Sequence, residues 1–181
     1  MKSLQRKNVL LFTFILAAVG ATPVLGQTRV ERADALLLRA KAAEELASHS
    51  ANAEARADAA RLHLESARLR PESDLQGIAS LWTAGLYYAY EQPAEAARLI
   101  ATAADRAHAM GDIVTAANAY LDAAAALVQA YPSKRMPTTE YARVQMWIGK
   151  AADLANSPHL PQAVRENLQR RIGPDEGHLA G

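Results

Sequence analysis

Apolar residues along this chain recur at spacings of three and four rather than two, in about seven blocks separated by proline, glycine and short polar breaks. The first block runs from Val30 to about Ser48, where Ala33, Leu36, Leu37, Ala40, Ala43 and Ala47 form one stripe. Arg32, Arg39, Lys41, Glu44 and Glu45 take most of the remaining surface. Adjacent side chains diverge around a helix, so Glu44 and Glu45 read as a solvated face and not as an acid–base pair. Ser48-His49-Ser50 interrupts the pattern, and Ser50 is placed to cap a second helix, 52–70, that stops at Pro71. Ala55, Ala59, Leu62, Ser66 and Leu69 form its inward face. Ser73-Asp74 caps a third helix, 74–90, and Pro93 suits the first turn of a fourth, 94–110, with Ala96, Leu99, Ile100, Ala103, Ala107 and Met110 inward. Gly111-Asp112 ends that helix and caps a fifth, 113–131, whose single charge is Asp122. After a loop at 132–137, Thr138 or Thr139 opens a sixth helix to about Asn156, striped by Tyr141, Val144, Ile148, Ala151 and Ala152. Pro161 starts a short last helix with Val164, Leu168 and Ile172 inward, and 173–181 is expected to be a disordered tail. No segment shows convincing period-two alternation, so the expected class is all-α.

The stretch from Leu75 to Tyr90 stands apart, because it has no charged residue in a chain that is 22% charged. As a helix it is apolar on every side: Leu75, Ile78, Leu81, Gly85 and Tyr88 down one stripe, Trp82, Leu86, Ala89 and Tyr90 down another. A helix apolar all round predicts cover on more than one side. Its 16 residues fall short of the roughly 20 that a membrane span needs, so protein is the expected cover.

A different signal occupies the N-terminus. Lys2, Arg6 and Lys7 form a basic region, Val9 to Val19 an apolar one, and small residues follow at Gly20-Ala21 and Gly26. That is the three-part pattern of a secretory signal peptide over 1–26, with cleavage expected before Gln27 and a helical domain over 27–172. An uncleaved anchor is the competing reading; the short apolar run and Pro23 count against it. The expected location is the periplasm or the cell exterior.

The helices fall into pairs, 30–48 with 52–70, 74–90 with 94–110, and 113–131 with 139–156, leaving one as an end cap. Ala-Ala-x-Leu recurs in the second helix of each, beginning at Ala59, Ala96 and Ala151. The middle pair resembles a tetratricopeptide repeat, whose first helix is patterned W-x₂-L-G-x₂-Y and whose second is patterned A-x₃-F. Leu81 stands at the large apolar position, Gly85 at the small one, Tyr88 at the aromatic one and Ala97 at the first small position of the second helix. Ile113, Ala116, Ala117 and Tyr120 echo the first-helix pattern, and Pro71 and Pro158 the closing proline. The chain departs from that family where Ala101 replaces its phenylalanine and where the period exceeds about 34 residues. Over 30–156 the resemblance implies a right-handed stack of antiparallel helix hairpins that binds other proteins. It places the first helices on the concave face, and with them Trp82, Leu86, Tyr90, Val114, Asn118 and Leu121 as a partner-binding stripe. The alternative is an alanine-rich bundle in which that stripe is buried by the N-terminal pair or the last helix.

Composition trims the list of functions. There is no cysteine, so disulfides, thiolate nucleophiles and Cys-based metal sites are excluded. The five histidines make no HExxH-type pair, and no Walker-type loop or G-x-S-x-G is present. No catalytic residue, cofactor or metal is therefore expected. Lys2, Arg6 and Lys7 account for three of 20 basic residues, so the body without them is slightly acidic against 19 carboxylates and carries no footprint for nucleic acid. The arginines Arg61, Arg68, Arg98 and Arg106, interleaved with Glu65 and Asp105, read as an ion-paired exterior. The expected function is an exported, non-enzymatic scaffold for a protein or peptide partner. A peripheral lipid-associating helical protein is the alternative, weakened because alanine faces bind bilayers poorly.

Overall fold

The computed structural model describes residues 28–50, 52–132 and 135–173, with the side chains of His49 and Ser50 left out. The signal segment over 1–26 and most of the tail over 173–181 lie outside the described residues; the expected break at 48–50 and cap at Ser50 are corrected, since the first helix runs through Ser50 and Asn52 caps the second. Seven α-helices and no strand occur among those residues: α1 (Arg29–Ser50), α2 (Ala53–Leu69), α3 (Leu75–Tyr88), α4 (Pro93–Ala109), α5 (Ile113–Gln129), α6 (Thr138–Ala155) and α7 (Gln162–Ile172).

Local chemistry fixes these ends. Thr28 and Glu31 bond reciprocally at the start of α1, hydroxyl to backbone and carboxylate to backbone, which satisfies two otherwise orphaned N–H groups. Asn52 caps α2, its side chain accepting from the N–H of Glu54 and Ala55. Asp74 and Asp112 cap α3 and α5 in the same way, through the N–H of Gly77 and Thr115. Gly111 takes the left-handed conformation (φ 78°) that ends α4.

Each helix packs against the next along the chain, and α7 also touches α5. The turns are short: three residues join α4 to α5 and four join α3 to α4, so successive helices run back and forth as stacked antiparallel hairpins. The stack is held by small residues. Ala96, Ala97, Ala103, Ala104, Ala116, Ala119 and Ala123 are fully buried, with Ile78, Ile100, Tyr120, Val144 and Trp147 as large anchors. Gly85 is where α3 and α4 come closest. A Cβ there would lie 2.4 Å from Cγ1 of Ile100 and 3.1 Å from the carbonyl oxygen of Ala96.

Several expectations need correction. The third helix is not covered all round, since Leu75, Leu86 and Tyr90 are exposed, and Tyr90 lies beyond the helix end at Tyr88. The inward face of α6 is turned by about one position. Trp147 is buried there with Val144, Ala151 and Ala155, while Tyr141 is exposed. Met110 is exposed rather than inward, because it follows the last turn of α4.

Candidate functional site

Because consecutive helices alternate in direction, α1, α3 and α5 run the same way, and their C-terminal halves open on a common cavity of about 650 Å³. Its lining comes from Glu44 of α1, from Thr83, Leu86, Tyr87, Ala89 and Tyr90 in and after α3, and from Gln129 at the end of α5. On α3 the buried set is Gly77, Ile78, Ser80, Leu81, Ala84 and Gly85. Leu75, Ala79, Leu86 and Tyr90 face away from it and stay exposed.

The six residues expected to meet a partner part company here. Leu86 is exposed, Tyr90 is the most exposed aromatic at 74%, and Val114 is exposed at the first turn of α5. Trp82 is half-buried, and its indole N–H donates to Oδ2 of Asp122 at 3.0 Å, joining α3 to α5. Asp122 accepts at its other oxygen from Arg171 of α7 at 2.6 Å, and Arg171 also donates to the side-chain oxygen of Asn118. The Asn118 amide N–H is spent on the carbonyl of Val114 at 2.9 Å. Asn118 is therefore already engaged by the last helix. Leu121 is buried in the main core and offers no surface, because it lies at the edge of the stripe formed by Val114, Asn118, Asp122 and Ala125.

Around the cavity the chemistry is acidic and aromatic. Glu44 is half-buried, and its Oε1 lies 3.0 Å from Nε2 of the buried His63 on α2. Burial pushes the His63 pKa below its ordinary value; Glu44 pulls it up and Lys41 pushes it further down, and burial prevails. His63 is thus held neutral near pH 7, and its Nδ1 has no partner. Burial also pushes the Tyr87 hydroxyl pKa up, with Glu44 and Tyr90 acting in the same sense. The guanidinium of Arg56 stacks on the Tyr90 ring, 5.2 Å from its centre.

A second polar cluster ties the middle of the stack. The buried Tyr120 of α5 donates its hydroxyl hydrogen to Asp105 of α4, and Lys150 of α6 lies 2.9 Å from that carboxylate and 4.7 Å above the Tyr120 ring. Burial raises the Asp105 pKa, but the bonds from Tyr120 and Lys150 outweigh it and hold the carboxyl below its usual range. For Lys150, burial works downward and is outweighed by Asp105 and Tyr120, so its pKa rises. Both shifts run away from neutrality, the reverse of what a general acid or base needs. The cluster is a fully charged ion pair that locks three helices together.

Three of the four arginines on the expected exterior face are ion-paired, and Arg68 has no ion pair among the described residues. Arg61 reaches Asp58 and Glu65, Arg98 reaches Glu95, and Arg106 reaches Glu72. Among the described residues no group of three or more His, Asp or Glu side chains is arranged to hold a metal ion, and no helix is long and apolar enough to cross a membrane. Sequence reasoning missed Glu44, although its position gives a signal. It falls four residues after Ala40 and three before Ala47, in line with the buried stripe of α1. Arg171 gives no such signal, since it meets partners 49 and 53 residues earlier in the chain.

These features define the class: an all-α stack of helix hairpins with an open groove across its first helices. No protein-family model matches the chain, and no curated protein or solved structure matches it significantly.

Proposed function

We propose that the protein is an exported, non-enzymatic interaction scaffold of tetratricopeptide-like hairpins, and that the groove across α1, α3 and α5 holds an extended segment of a partner protein. The observation that carries the reading is the open side of α3. Leu86 and Tyr90 are 44% and 74% exposed beside a cavity of about 650 Å³. Exposed aromatic and aliphatic groups beside a few polar ones suit peptide recognition, because rings give rigid contact area at little entropic cost. The Glu44 carboxylate on the cavity wall favours a protein segment over an anionic bilayer.

The test pairs a binding measurement with a melt. Leu86→Ser and Tyr90→Ser should leave the urea midpoint nearly unchanged, since both side chains are exposed, and should abolish capture of the native partner from the envelope. Retained capture by both variants would remove the groove from the reading. Export is tested separately by the N-terminal mass of the mature protein, expected to begin at Gln27.

A further inference from the structure

We infer that the cavity bounded by Glu44, Tyr87, Tyr90 and Leu86 takes the side chain of an arginine or lysine from the bound segment. The inference rests on the groove being a peptide-binding surface, and it names the chemistry of what enters. Three observations lead to it. Glu44 is the one charged residue lining the cavity, and no Lys or Arg among the described residues lies within ion-pair distance of it. The group it does meet, His63, is neutral near pH 7, so the carboxylate faces the cavity without a formal counter-charge. Two tyrosine rings and Leu86 stand beside it, which gives the stem of a long cationic side chain an apolar wall and its head an acceptor.

The groove itself supplies a precedent. A few turns toward the N-terminus of α5, Arg171 from α7 is seated on the same combination: a carboxylate, Asp122, held by an aromatic N–H from Trp82, with Asn118 beside it. The chain's own last helix thus fills one acid-and-aromatic seat with a guanidinium, and the cavity at Glu44 is a second seat of like composition, where Arg56 stacks on Tyr90 but no described guanidinium or ammonium meets the carboxylate. Seven residues of α5 separate Asp122 from Gln129, about 10 Å along the helix. About three residues of an extended chain cover that distance. A guanidinium fits better than an ammonium, since it can meet the carboxylate through two N–H groups and stack on a ring at once.

The experiment uses random dodecapeptides displayed on phage and selected on the purified protein. Enriched sequences should carry Arg or Lys in one register. A synthetic peptide of the enriched sequence and its copy with citrulline at that position then differ by one charge and little shape. Fluorescence anisotropy should show the citrulline copy binding about ten-fold or more weakly to the wild-type protein. The difference should shrink to about two-fold or less in Glu44→Gln, and narrow at high salt for the wild type. Tyr90→Leu, which alters an exposed side chain after the helix, should weaken the arginine peptide more than the citrulline copy, since only the guanidinium loses a cation–π contact, and serves if Glu44→Gln melts early. Enriched peptides that lack a basic residue yet lose binding in Leu86→Ser would overturn this inference and leave the groove standing. No enrichment sensitive to Leu86→Ser would overturn both. Flotation with phosphatidylglycerol vesicles that Leu86→Ser abolishes would give the groove to lipid and overturn the inference as well.

Discussion

α3 and α5 begin from nearly the same material. The first has no charged residue and the second has one, Asp122, and both mix Ala with Leu and Tyr. Their fates differ. Leu127 of α5 is 2% exposed and Leu86 of α3 is 44% exposed; Tyr120 is sealed and Tyr90 is open. The reason is the number of neighbouring helices. α5 lies under α4, α6 and α7, whereas α3 packs chiefly against α2 and α4 and meets α5 and α1 through single side chains, Trp82 and Tyr87. Apolar character along a helix shows that it can be covered, and topology decides how much of it is.

The largest test of that contrast is a matched pair of truncations. Tyr120→Ala should cost about 3–5 kcal/mol in a urea melt, as removal of a buried aromatic does. Tyr90→Ala should stay within about 0.5 kcal/mol. Equal costs would mean that the two helices are buried alike. Next come two glycines. Gly85→Ala must push Ile100 away, an overpacking worth about 1–3 kcal/mol, of which the helix-propensity gain of about 1 kcal/mol offsets only part. A Cβ at Gly149 meets nothing within 4 Å, so Gly149→Ala should gain up to about 1 kcal/mol. A rise in melting temperature for both would show that α3 and α4 are not in close contact. Smaller again is Trp82→Phe, which keeps a ring between α3 and α5 but removes the N–H that Asp122 accepts. A loss of about 1 kcal/mol is expected, and a variant as stable as the parent would demote that link.

The smallest effect is on pH dependence and concerns α1 and α2. Burial lowers the His63 pKa from 6.5, so between that value and the depressed folded one the unfolded chain binds the extra proton. The stability tied to neutral His63 is full above pH 6.5 and is lost as pH falls toward the folded value. Urea melts from pH 7.5 downward should therefore show a decline that starts near pH 6.5 and flattens in His63→Gln. An unchanged slope in that variant would assign the decline to other groups.

Much of the helical frame was legible in the sequence, because punctuation chemistry is local: Asp74, Asp112, Pro93 and Gly111 act where their neighbours lie. The site was legible in part. Leu86, Tyr90 and Val114 are exposed, as a partner-binding stripe requires, but Asn118 is held by a helix 53 residues away, which no local pattern reports. Alanine also blurs the reading of faces. With Ala at most core positions, the stripe of α6 could be drawn through Ile148 or through Trp147 with similar periodicity, and the structure buries Trp147. Ser66, on the expected inward face of α2, is buried and donates to the carbonyl of Ala33, but the burial of Arg70 between Asp34 and Asp74 is silent in sequence.

One further consequence follows from α1 lying at the end of the series. Apart from Tyr87 and the Arg70 pair with Asp34, α1 rests on α2 alone among the described residues, through Ala40, Ala43, Ala59 and Leu62. In a chain of elements that each lean on their neighbours, opening starts at the end with the fewest supports and spreads inward like a zip. Amide protons of α1 should then exchange sooner than those of α5. Glu44 rides on the helix that peels first, so the seat it forms exists only while that end is closed. An occupant bridging Glu44 to α3 and α5 would fasten the zip, and its arrival would be read as slowed exchange along the whole of α1.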